Sequence, residues 1–184
     1  MADPGGATPV DAASAPPATG SSAVTGSASG AGRIESAFAG HGRRAALMPY
    51  LMGGFPDLEE SRRTGQACAE AGADLVELGV PFSDPLADGP AIHAAATRAL
   101  AGGATVEGVL GVCETLAERL PVVLMVYVNA VLARGAEAFC GSAAAAGASG
   151  LIVPDLPHDE APAVRAACES AGLALIPLAA PAST

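Results

Sequence analysis

The stretch Glu77-Leu-Gly-Val-Pro-Phe-Ser-Asp-Pro-Leu-Ala-Asp-Gly-Pro90 passes from a buried strand directly into a loop. The strand, Asp74-Leu-Val-Glu77-Leu-Gly, is apolar on either side of one carboxylate, and Pro81, Pro85 and Pro90 each fix φ and remove a ladder donor. Two carboxylates therefore face one site from different supports. Desolvation within an apolar strand raises the pKa of Glu77, while Asp88 precedes a helix whose free N–H groups favour its charged form. That division suits an acid and a base. A solvated acidic loop is the plain alternative, but a carboxylate inside an apolar strand requires a partner or a chemical use.

Outward from this stretch the chain alternates between strand and helix. Residues 45–52 are nearly all apolar, as a buried parallel strand requires, and Gly53-Gly54-Phe55-Pro56 stops them. Asp57, with Glu60 three residues on, predicts an N-capped helix to Ala71, and Gly72 supplies its C-terminal turn. Beyond the loop, Pro90 begins a helix that Gly102-Gly103 ends, and Thr105 caps another carrying Val106, Val109, Leu110, Cys113 and Leu116 at helical spacing. Strands over 121–127, 151–153 and 173–178 and helices over 131–146 and 158–171 complete the pattern. Ala-Gly before a strand recurs at Ala71-Gly72, Ala146-Gly147 and Ala171-Gly172, which marks a repeating β/α unit. Wholly apolar strands need cover on both faces, and no Gly-x-Gly-x-x-Gly follows the first. A barrel is expected rather than a dinucleotide-binding sheet.

Residues 1–32 are Ala, Gly, Ser, Thr and Pro with few large apolar groups, and predict a disordered tail. The short amphipathic pattern of Ile34, Ala37 and Phe38 follows, and Gly40-His41-Gly42 ends it. The whole chain has 184 residues, 51% of them hydrophobic, enough for one domain with a real core. No apolar run reaches the roughly 18 residues of a membrane span, and no basic-then-apolar leader opens the chain, so a cytoplasmic location is expected. A net charge of -10 disfavours nucleic acid and membrane as partners, and any anionic substrate would have to be held locally. The basic residues are all Arg. Without Lys there is no Schiff-base aldolase, no covalently held pyridoxal phosphate and no P-loop lysine. Cys68, Cys113, Cys140 and Cys168 lie apart in Ala-rich segments and read as core thiols in a reducing compartment.

The quoted stretch closely resembles the signature of the tryptophan synthase alpha chain family, (β/α)8 TIM barrels that cleave indole-3-glycerol phosphate to indole and glyceraldehyde 3-phosphate. Pro49-Tyr50 through Gly54-Phe55-Pro56, Met125-Val-Tyr127-Val-Asn129 and Val153-Pro-Asp155-Leu-Pro157 extend the likeness from about Arg33 to Thr184. The resemblance implies that residues 33–184 form the N-terminal part of such a barrel, about five of its eight β/α units. The loops that grip the substrate phosphate would belong to the later units. It also implies a lyase that uses no cofactor and no metal, with Glu77 as general acid and base and Asp88 accepting from the indole N–H. Tyr50, Tyr127 and Asn129 would line or support the indole pocket, although Tyr127 reads equally as an ordinary strand-end aromatic. Asp155 would organise the barrel mouth. Asp84 and Pro85 would sit on a mobile loop facing a tryptophan synthase beta chain in an α2β2 assembly, Asp84 signalling rather than reacting.

Two other readings compete. One is a non-catalytic fragment or regulatory partner of a beta chain, keeping the loop but lacking the phosphate-binding loops. The other is a metal-assisted phosphate-barrel enzyme, in which Asp84, Asp88 and His93 would be ligands; the lack of Lys and of a histidine pair weakens it. His41 and His158 read as exposed loop or cap residues. Ser83, with no nucleophile elbow around it, reads as a loop hydroxyl.

Overall fold

The computed structural model describes residues 29–43 and 45–179; residues 1–28, most of the expected tail, lie outside them. Five strands, β1 (Tyr50–Met52), β2 (Val76–Gly79), β3 (Val122–Met125), β4 (Gly150–Ile152) and β5 (Ala174–Ile176), form one sheet in sequence order. Every pairing is parallel. Helix α1 (Gly30–Gly40) precedes β1, and α2 (Leu58–Glu70), α3 (Pro90–Ala101), α4 (Val106–Ala117), α5 (Val128–Leu132), α6 (Ala136–Ala145) and α7 (Pro162–Ser170) fill the connections. A doubly wound sheet would reverse its strand order at a switch point; this one never does, as a barrel wall requires. No single helix among the described residues is long and apolar enough to cross a membrane.

The register sorts the side chains into rows. Leu51, Leu78, Leu124, Leu151 and Leu175 align across all five strands, and this leucine row meets the helices, where Val109, Leu116, Phe139 and Cys168 complete the main core. The flanking rows face the other way by strict alternation. One holds Tyr50, Glu77, Val123, Gly150 and Ala174; the next holds Met52, Gly79, Met125, Ile152 and Ile176. Glu77 is the single charged residue in these two rows.

Helix α1 closes the N-terminal end of the strands. Ile34 and Ala37 pack with Leu75, Val123 and Ile152. Gly30 donates its N–H to the Gly172 carbonyl at 2.8 Å, and Arg33 reaches the Ala148 carbonyl at 2.6 Å and the Ser149 hydroxyl at 3.1 Å. The helix begins at Gly30, earlier than expected, because Ser29 caps it by accepting from the Gly32 N–H at 3.3 Å. The expected tail therefore gives way to helix before Arg33.

Other boundaries also moved. The first strand starts only at Tyr50, since Pro49 brings no N–H, although Leu47 and Pro49 carbonyls still accept from Asp74 and Glu77 at 2.9 and 3.0 Å. The single helix expected over 131–146 is two, broken where Gly135 takes φ 82. The helix expected from His158 is a 3-10 turn (His158–Glu160) followed by α7, because Pro162 occupies the first helical position. The Ala-Gly repeat has a common structure: after α2, the Gly72 N–H meets the Ala69 carbonyl at 3.1 Å and the Ala73 N–H meets Cys68 at 3.0 Å. The same paired bonds close α3, α6 and α7.

Candidate active site

Glu77 sits on the concave face beside Tyr50, its register partner on β1. Leu75, Val76 and Leu78 around it are fully buried, and this desolvation raises its pKa above the ordinary carboxylate value. Two residues on, Gly79 ends the strand on the same face. A side chain there would lie 2.1 Å from the Tyr50 hydroxyl, so the missing Cβ is what lets Tyr50 lean across β2 toward the mouth of the sheet.

Asp88 arrives from the loop after β2. It is not the N-cap of α3, a position held by Gly89 without a side-chain bond. Instead the Asp88 carboxylate accepts the Tyr127 hydroxyl at 3.0 Å, and that hydroxyl itself accepts the Ala87 N–H at 3.0 Å. Tyr127 is only 3% exposed, so its hydroxyl needs both bonds. Burial and the Asp88 contact hold it above the ordinary tyrosine range. Phe82 stacks on the same ring at 5.1 Å between centroids. The loop is thus pinned at Phe82, Ala87 and Asp88 to one aromatic side chain at the end of β3.

Asp155, beyond β4, accepts the Val128 N–H at 2.8 Å and so ties the β4 loop to the turn that presents Tyr127. Asn129 does not join the group. It lies exposed on the first turn of α5, two residues after Tyr127. Asp84 is exposed and takes the Ser83 hydroxyl at 2.5 Å, Pro85 is partly buried, and Leu86 beside them is 88% exposed. His93 is exposed on α3, and among the described residues no group of three His, Cys, Asp or Glu lies close enough to hold a metal ion. Sequence reasoning missed Phe82 and Gly79. A glycine two residues after a strand carboxylate is the one signal that pointed to the second, since it marks a close approach.

These features define a segment of a parallel β/α barrel with two carboxylates at the C-terminal ends of its strands, where such barrels carry their chemistry. A family profile described as "Tryptophan synthase alpha chain" matches residues 38–184. The tryptophan synthase alpha chain of Synechococcus elongatus is 50% identical over 143 residues, 77% of this chain and 54% of that protein. That of Gloeobacter violaceus is 49% identical over 156 residues, 83% of this chain and 56% of that protein. An open form of tryptophan synthase from M. tuberculosis superposes with a TM-score of 0.80 at 43% identity, covering 85% of this chain and 63% of that one. A chain of the α2β2 tryptophan synthase complex of Pyrococcus furiosus gives 0.70 at 32% identity, with coverages of 76% and 60%. The chain belongs to the tryptophan synthase alpha chain family, and its five strands are part of that family's TIM barrel. It spans about half the length of the curated relatives it matches.

Proposed function

We propose that the protein is the alpha component of a tryptophan synthase and cleaves indole-3-glycerol phosphate to indole and glyceraldehyde 3-phosphate, without a cofactor. One observation carries the reading: an inward carboxylate made hard to ionise, Glu77, shares the mouth of the sheet with Asp88, a carboxylate fixed by a tyrosine hydroxyl. Protonated Glu77 delivers its proton to the ring carbon that bears the side chain, and Asp88 accepts from the indole N–H and balances the positive charge. The Glu77 carboxylate then takes the proton of the hydroxyl on the adjacent carbon. The carbon–carbon bond breaks, its electron pair returns to the ring, and the hydroxyl-bearing carbon becomes the aldehyde. Glu77 ends protonated, as it began.

In this reading Tyr50 and Tyr127 line the indole pocket, Asp155 braces the segment carrying Tyr127, and the exposed loop at Asp84, Pro85 and Leu86 meets a beta chain. The P. furiosus relative is an α2β2 complex, and we extend that heterotetramer to this protein. We place it in the cytoplasm, where its free thiols would stay reduced. The test is product analysis with a tryptophan synthase beta chain present. Equimolar indole and glyceraldehyde 3-phosphate should form at a rate unchanged by a metal chelator; absence of both products contradicts the lyase, and loss of rate with chelator contradicts the metal-free mechanism.

A further inference from the structure

Among the described residues the Tyr50 hydroxyl is the single buried side-chain oxygen or nitrogen without a hydrogen-bond partner. Leaving such a group unpaired is costly in a protein interior, and an oriented, unpaired donor at an active site points to a ligand atom. Its direction is set by the backbone. Tyr50 starts level with Glu77, and its ring crosses the space above Gly79, with the hydroxyl 2.1 Å, the ring carbon bearing it 2.8 Å and the next ring carbon 3.2 Å from where a Gly79 Cβ would be. The hydroxyl thus lies over the C-terminal end of β2, two residues along the same face from Glu77, where the charges of Glu77 and Asp88 both reach it. Burial, then the charges of Asp88 and Glu77, and last Tyr127 push its pKa far up, so it is a donor and never an anion here.

Resting on the lyase reading, we propose that Tyr50 is a third catalytic group, whose hydroxyl donates to the oxygen of the substrate hydroxyl that Glu77 deprotonates. That oxygen gains negative charge as its proton leaves, so a fixed donor beside it lowers the barrel's barrier to scission and selects substrates that carry the hydroxyl. A phenylalanine would fill the same space over Gly79 and lose only the donor.

The experiment uses Glu77→Gln as a background that binds without turnover. Dissociation constants are measured for indole-3-glycerol phosphate and for the analogue lacking the hydroxyl on the carbon bonded to the ring, with and without Tyr50→Phe. Tyr50→Phe should weaken the hydroxylated compound about three- to tenfold and leave the deoxy analogue unchanged. In the Glu77 protein it should raise KM by about the same three- to tenfold and lower kcat roughly tenfold or more, since the donor matters most as charge develops. Its Tm should hold or rise, because a buried unpaired hydroxyl has been removed. Equal effects on both compounds, or none on either, overturn the Tyr50 role and leave the lyase standing. Failure of both compounds to bind overturns the lyase reading and this inference with it.

Discussion

Glu77 is a carboxylate that the fold keeps away from water, and its raised pKa fixes the sign of its effect on stability. Folding favours the protonated form, so its contribution is fully present below the unfolded-state pKa and is lost as pH rises through the folded one. Glu77→Gln should therefore match the parent in stability at acid pH and exceed it at neutral pH, read by urea unfolding at several pH values. A variant less stable at neutral pH would mean that the charged form is the one the fold favours. Asp88 has a different support, the Tyr127 hydroxyl. Asp88→Asn should lose roughly a hundredfold in kcat while keeping residual cleavage, because a neutral oxygen still meets the indole N–H; an unchanged kcat would remove Asp88 from the chemistry. Both carboxylates were legible in the sequence, one from the apolar residues around it and the other from the family pattern. The Tyr127 clamp on the loop was not, since it joins residues 39 apart through a turn with no local signal. Asn129 came from its position in the family resemblance, and the structure seats it, exposed, on the short helix that follows β3.

Elements were easier to read than their ends. The apolar runs marked all five strands, and caps at Asp57 and Thr105 fall where expected, accepting from Glu60 and Gly108 N–H groups at 2.9 and 3.1 Å. Boundaries failed where one residue changes the backbone, at Pro49, Gly135 and Pro162. Helix α1 shows how tightly an element can be seated: a Cβ on Gly30 would fall 1.8 Å from the Ser149 carbonyl oxygen. Gly30→Ala should destabilise the protein by about 1–3 kcal/mol through overpacking. Denaturant midpoints check it, and an unchanged midpoint would show that α1 is not docked on the strand ends. The thiols belong to the same layer. Burial pushes Cys113 up to about 12, and Cys140 and Cys168 face each other at 3.6 Å where α6 meets α7. A thiol reagent should label half-buried Cys68 in the native protein and the other three only on unfolding; rapid native labelling of Cys113 would contradict its seat in the core.

Across the described residues, one sheet face is sealed by a leucine row under the helices and the other carries Glu77 among apolar and aromatic neighbours. That asymmetry places chemistry on the concave face and stability on the convex one. The sequence pattern made the asymmetry readable only in part: alternation was masked by apolar residues on both faces, and the inward row emerged from register. On the proposed chemistry everything turns on Glu77, the acid and base of a cofactor-free cleavage. Its most direct test is the rate of indole release from indole-3-glycerol phosphate by the protein, with a tryptophan synthase beta chain, beside Glu77→Gln. The parent should release indole, and the variant should lose all but about a thousandth of that rate. A variant that keeps more than a few per cent of the parent rate, at roughly the scale of a lost hydrogen bond, would contradict that role.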